Sequence, residues 1–205
     1  MTVCVAAIAT YKIIKYKNAP LVLHSIIGAS DRMLTAGDSE FEPERSKIVP
    51  LTSSIIIMLA GDSSLQDEIL QKIYSDVYKR IEVEPNNWWN VRDVADLYSH
   101  YYNESLIKRV EKSILIPLGL DSKTFITRQK EMNSEFVLRI AKQLQNFQIP
   151  RIEAIFTGID KSGPHIYVAD NEGVNCYNSI GFTAIGVGTR HASSQMMFSG
   201  HTLSK

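Results

Sequence analysis

The chain has 205 residues, 44% hydrophobic and 21% charged, the balance expected of one soluble globular domain of ordinary size. Lys plus Arg and Asp plus Glu number 22 each, so the net charge is zero, which argues against binding nucleic acid or a membrane surface through bulk charge. Two cysteines without paired spacing, Cys4 and Cys176, exclude a disulfide framework, and with no signal-peptide pattern and no membrane-spanning apolar run a cytoplasmic location is expected.

Residues 2–9 (TVCVAAIA) are apolar and β-branched at the start, which predicts a buried strand. YKIIKYKNAP (11–20) reads as an extended hairpin tip, and LVLHSIIGAS (21–30) as the returning strand. Short strands are expected over 46–51 and 54–60, with Thr52 and Ser53 at the turn. The run IIIMLAG (55–61) is apolar throughout, so its strand should be covered on both faces. The period then changes. Asp62, Ser63 and Ser64 are N-cap residue types, and Gln66 or Asp67 would complete a capping box. Leu65, Ile69, Ile73 and Val77 recur every fourth residue, with Leu70, Tyr74 and Ile81 widening the stripe, predicting an amphipathic helix over about 63–81. Pro85 and NNWWN (86–90) break it. A second helix is expected over about 91–112, stopped by Pro117 and Gly119, and a third over about 134–147. After Pro150 the segments IEAIFTGI, HIYVAD, GVNCY and GFTAIGVG read as strands, and HASSQMMFSG as the start of another helix. This order of strands, helices, strands and a helix indicates an α+β protein with two sheets and helices outside them.

Several motif readings fail. GVGTRH lacks the third glycine and the crossover unit of a dinucleotide loop, and no GK[ST] phosphate loop is present. The five histidines show no HExxH spacing, so neither a zinc site nor another cofactor is expected. Ser199-Gly200-His201 is not a nucleophile elbow. The tyrosines and tryptophans of 88–102 read as helix packing.

One constellation holds together. Thr2 is small enough for the initiator Met1 to be removed before it, and a free N-terminal threonine carries a hydroxyl nucleophile and an amine base on one residue. GASDRMLTAG (28–37) places Asp31 after an apolar strand and Thr35 four residues later. Lys47 opens the next strand in RSKIVPL, and Ala60-Gly61 ends the one after, directly before the capped helix. Taken singly, each reads more readily as structure: Thr2 as the residue after the start, Asp31 as a turn cap, Lys47 as a solvated strand end and Gly61 as an ordinary strand-to-helix turn.

Taken jointly, in this order and spacing, they resemble the proteasome β-subunit family, the N-terminal-nucleophile (Ntn) hydrolases of threonine-protease type. The opening MTVCVA is most similar to the bacterial proteasome-like peptidases called Anbu, and GFTAIGVGT (181–189) resembles the family's glycine turn beside the nucleophile. The resemblance touches residues 2–9, 21–80 and 152–195. It implies a single domain over 1–205 with a four-layer αββα sandwich. It also implies a peptidase that acts on peptides or unfolded protein through an acyl-enzyme ester, inside a homo-oligomeric ring or spiral. On this reading Thr2 is the nucleophile. The α-amine, with an ordinary pKa of about 7.7–8.0, is its base. Lys47 helps keep that amine neutral, Asp31 holds Lys47, and the Gly61 N–H donates to the oxyanion.

Three departures accompany the resemblance. The hairpin between Thr2 and Asp31 is longer than the family's, by a segment that could reach a neighbouring subunit. Val187 stands where many members carry a serine, leaving Thr189 as the nearby hydroxyl. The chain stops at Lys205, 17 residues after Gly188, so the C-terminal part of the domain is expected to be missing. Two alternatives stay open: an Ntn amidase acting on a small amide, and a non-catalytic structural or interaction paralogue that retains Met1.

Overall fold

The apolar opening of the chain forms a strand that runs well past residue 9. The computed structural model describes residues 2–16, 19–36, 39–42, 46–85 and 87–203, with side chains for these other than 11–21, 34–36, 39–41 and 200–203. β1 (Cys4–Tyr16) and β2 (Ala19–Ser30) pair antiparallel from Cys4↔Ser30 to Tyr16↔Ala19, with a bulge between Thr10 and Lys12. Most of the segment read as a hairpin tip is therefore paired strand. Lysines do not break a ladder made by backbone groups, and the interleaved Tyr and Ile favour it. Residues 17 and 18, at the turn itself, lie outside the described residues.

β3 (Leu34–Ala36) and β4 (Ser39–Phe41) form a small antiparallel ribbon. β5 (Ile48–Pro50) and β6 (Ile55–Gly61) follow as expected, their turn tied by the Thr52 hydroxyl oxygen, which accepts from the Ser54 and Ile55 N–H groups. α1 (Ser63–Val83) begins at Asp62, whose carboxylate accepts from the Leu65 N–H at 2.8 Å. There is no capping box. Gln66 instead turns into the core and donates to the Ala60 carbonyl at 2.7 Å. α1 buries Leu65, Ile69, Leu70, Ile73 and Val77 as the spacing predicts, while Tyr74 is half-buried and Ile81, also placed on the stripe, is exposed in the last turn.

α2 (Val91–Val110) precedes α3 (Ser122–Arg128) and α4 (Ser134–Gln145). The chain then enters β7 (Ile152–Asp160), β8 (Gly163–Asp170), β9 (Gly173–Cys176), β10 (Phe182–Ile185) and α5 (Thr189–Leu203). Among the described residues the protein is thus a mixed α/β chain with two larger antiparallel sheets and five α-helices. The three-stranded sheet runs β10-β1-β2 and the five-stranded sheet β5-β6-β7-β8-β9.

By its internal contacts the chain forms two units, residues 1–99 with 151–205, and residues 100–150. In the first, Cys4, Ala6 and Ile185 of the three-stranded sheet share one buried cluster with Met58, Ala60, Ile155, Ile166 and Val168 of the five-stranded sheet. Phe156, next to Ile155 and therefore on the opposite face of β7, meets Tyr98 edge-to-face at 5.3 Å between ring centres. β7 is covered on both sides, as a continuous apolar strand requires. The second unit is helical and packs Leu115, Phe125 and Ile140 together with Phe136, Val137 and Leu144. Among the described residues, no helix is long and apolar enough to cross a membrane.

Candidate active site

Thr2 lies where the first strand begins, and three chain segments converge on it. The β1–β2 ladder is extended by one step beyond Ser30: the Asp31 N–H donates to the Val3 carbonyl at 3.1 Å, and the Val3 N–H donates to Asp31 Oδ1 at 2.7 Å. Asp31 Oδ2 accepts from the Met33 N–H at 3.1 Å. The carboxylate is thus pinned by two backbone donors. Burial by itself pushes its pKa up, but the Val3 N–H, the Lys47 ammonium and the Met33 N–H outweigh that and hold it below the usual carboxylate value.

Lys47 enters from the second sheet. Its carbonyl accepts from the Leu59 N–H at 3.1 Å, which sets the register of β6. Its side chain is buried, and Nζ donates to the Met33 carbonyl at 2.6 Å, to both Asp31 oxygens at 3.0 Å and to Thr2 Oγ1 at 3.1 Å. An ammonium has three hydrogens. Here one goes to Met33, one is shared by the Asp31 carboxylate and one goes to Thr2. The expected trio of Thr2, Asp31 and Lys47 is therefore in mutual contact through one nitrogen.

Gly61, the fourth expected residue, ends β6 and shares with Thr2 and Lys47 a cavity of about 80 Å³, also lined by Val49, Gln66 and Asp67. Strand alternation puts the Gly61 N–H on the edge that Leu59 uses to reach the Lys47 carbonyl, and β5 begins only at Ile48. The backbone at Gly61 has φ +108, and a Cβ there would collide with the Arg151 carbonyl oxygen. Only glycine fits this place.

The glycine turn after β10 lies under Thr2. The Gly188 N–H donates to the Thr2 carbonyl at 3.1 Å. Thr189 does not offer its hydroxyl to the site, since Oγ1 donates to the Gly186 carbonyl at 2.5 Å. Val187 is 78% exposed. Met1 and the Thr35 side chain lie outside the described residues.

Three contributors escape a reading of the sequence. The Met33 carbonyl is a backbone group with no sequence signal. Gln66 resembles a helix cap. Glu153 accepts from the Gly186 N–H at 2.8 Å through Oε2, and its only sequence signal is an acid inside an apolar strand. Cys4, near the trio, is buried with Sγ donating to the Leu59 carbonyl at 3.4 Å. Burial pushes its thiol up to about 11, against the pull of Lys47, so it stays a neutral thiol.

A second polar cluster sits at the other end of β7 and has the composition of a serine triad. His165 Nε2 lies 2.7 Å from Ser162 Oγ and 3.1 Å from Asp160 Oδ1. Asn178 Oδ1 accepts from the Ile166 N–H at 2.8 Å, which fixes the amide and turns Nδ2 toward His165 Nδ1 at 2.7 Å. The lone pair of the ring is then occupied at Nδ1 and the proton sits on Nε2. His165 has no lone pair facing Ser162 and cannot act as its base. The cluster ties the β7–β8 turn to α2, whose Val91 N–H donates to Asp160 Oδ2 at 3.1 Å. Among the described residues, no group of three or more His, Cys, Asp or Glu side chains is arranged to hold a metal ion.

Compared with models of known protein families, the chain matches none, and no curated protein matches it by sequence.

Proposed function

We propose that this chain is an N-terminal threonine hydrolase with the four-layer αββα architecture of the proteasome β-subunit type, cleaving peptide bonds within a self-assembled ring or spiral in the cytoplasm. The observation that carries the reading is the Lys47 ammonium, 3.1 Å from Thr2 Oγ1 with its remaining hydrogens committed to Met33 and Asp31. Such an ammonium has no lone pair and cannot take the hydroxyl proton. It can stabilise negative charge on Oγ1, while the base must come from elsewhere. Once Met1 is removed, the Thr2 α-amine is that base, on the same residue as its acid partner.

The reaction then runs in two halves. Thr2 Oγ1 bonds to the substrate carbonyl carbon as its proton passes to the α-amine, and the negative charge moves to the carbonyl oxygen, which the Gly61 N–H meets. The C–N bond breaks as the protonated amine returns its proton to the leaving nitrogen, leaving an ester on Thr2. Water adds to the ester by the same relay and releases the acid.

Intact mass spectrometry before and after exposure to a β-lactone tests the reading. Loss of Met1 and one covalent adduct on Thr2, absent in Thr2→Ala, is the expected result. A mature chain that keeps Met1, or a free Thr2 that never labels, overturns it in favour of an interaction protein. Cleavage by a monomer of a small amide but no peptide favours the amidase.

A further inference from the structure

Glu153 connects the two sheets at the end where Thr2 lies. It is the second residue of β7, pairs with Ala60 and is the only charged residue of the stretch 152–159. Its carboxylate leaves the five-stranded sheet and reaches the turn after β10. Oε2 accepts from the Gly186 N–H at 2.8 Å, and Oε1 accepts from Arg151 at 2.8 Å. The Glu153 side chain is only 19% exposed, whereas that of Arg151 is 77% exposed, so the ion pair counts for little and the bond to Gly186 for more. Its backbone is anchored too: the Glu153 carbonyl accepts from Gln66 Nε2 at 3.4 Å, and the same nitrogen donates to the Ala60 carbonyl beside Gly61 at 2.7 Å.

Gly186 is where that anchoring reaches the nucleophile. It has φ +90, and a Cβ on it would lie 2.5 Å from the Thr2 carbonyl oxygen and 3.2 Å from Thr2 Cγ2. The turn backbone therefore comes close to the Thr2 main chain, and the Gly188 N–H holds the same carbonyl from the other end of the turn. Gly186 follows the last residue of β10, so its N–H has left the paired stretch and needs a partner from elsewhere. The neighbouring Val187 has no polar side chain to supply one.

We propose that Glu153 is a positioning residue for Thr2: by accepting the Gly186 N–H it fixes the turn that supports the nucleophile, from the sheet that also carries Lys47 and Gly61. The role rests on the threonine reading. It depends on an acceptor at the right reach and not on negative charge.

Two conservative variants separate those properties. Glu153→Gln keeps the length and an accepting oxygen but loses the charge. Glu153→Asp keeps the charge but withdraws the carboxylate by about one C–C bond, ~1.5 Å. The readouts are the rate constant and the half-saturating concentration for β-lactone labelling of Thr2, with thermal melting as the check on folding. Glu153→Gln is expected to label at close to the wild-type rate, with the same pH midpoint. Glu153→Asp is expected to label about 10²-fold more slowly at unchanged half-saturation, the scale of a nucleophile displaced by about 1 Å. Wild-type labelling in Glu153→Asp, or equal losses in both variants, overturns the role of Glu153 and leaves the threonine reading standing. Absence of labelling in the wild-type chain overturns the threonine reading, and the role of Glu153 with it.

Discussion

Replacing Lys47 with methionine keeps an unbranched side chain one atom shorter in the same buried place and removes its charge. The wild-type ammonium satisfies Met33, Asp31 and Thr2 from one nitrogen. Asp31 is not orphaned in Lys47→Met, because it keeps the Val3 and Met33 N–H donors and its side chain is 25% exposed. The cost to folding is therefore at least that of one charge-assisted hydrogen bond, the one to the Met33 carbonyl, about 1.5–3 kcal/mol. At this chain length each of those kcal/mol lowers Tm by roughly 2–4 °C. The cost to chemistry is larger. A preorganised donor to an oxygen on which charge develops, here Thr2 Oγ1 on the proposed mechanism, is worth about 10²–10³ in rate, and the Thr2 labelling rate should fall by that factor.

The pH profile gives an independent sign. A base must be deprotonated to work, so labelling falls as pH drops through the α-amine pKa. On the proposed mechanism, an ammonium beside the freed amine disfavours a second positive charge there. Lys47→Met should therefore shift the midpoint upward as well as slow the reaction. Lys47→Arg should not restore the rate, because a planar guanidinium cannot bring three acceptors onto a single atom. Labelling of Lys47→Met at the wild-type rate, with an unmoved midpoint, refutes the reasoning.

Gly61→Ala should melt lower by the equivalent of about 1–3 kcal/mol and lose labelling, since the new methyl meets the Arg151 carbonyl oxygen at a backbone with φ +108; an unchanged Tm refutes this. Iodoacetamide on the native protein should modify exposed Cys176 and spare Cys4, read by peptide mass mapping, because the Cys4 thiol is buried and pushed up to about 11. Burial raises the Asp160 pKa, but hydrogen bonds from Ser162 and Val91 outweigh it and leave the carboxyl below its ordinary value. A carboxyl lowered in the folded state adds stability above about pH 4 that is lost as pH falls through the folded value. The Tm gap between wild type and Asp160→Asn should accordingly be full at neutral pH and shrink in acid; a gap independent of pH refutes it.

Elements with a long period were legible in the sequence. α1 announces itself through Asp62 and the four-residue spacing from Leu65 to Val77, and β6 through its unbroken apolar run. Asp31 and Lys47 were legible because their order along the chain carries information that neither residue carries alone. Their contact with Thr2 was not, since it is made across two sheets. β3 and β4 are three residues each, too short for any period to appear. α3 spans seven residues with one buried side chain, Phe125, and only the Asp121 cap marks it. Gln66 shows why local pattern misleads: at that position an amide serves a helix start or a strand end equally well, and the decision belongs to the Ala60 carbonyl, a tertiary neighbour. Glu153 was hidden for the same reason.

Lys47 has a footing in each sheet. Its main chain belongs to the five-stranded sheet through Leu59, and its ammonium is held by groups at the edge of the three-stranded one. The alignment of Thr2 is therefore a vernier on the slip between the two layers: a shift of ~1 Å breaks contacts of 3.0–3.1 Å while leaving both sheets intact. The shared cluster of Cys4, Ala6, Met58, Ala60 and Ile155 sets that slip. A change of one methylene there, far too small to unfold the chain, reaches Thr2 without touching it.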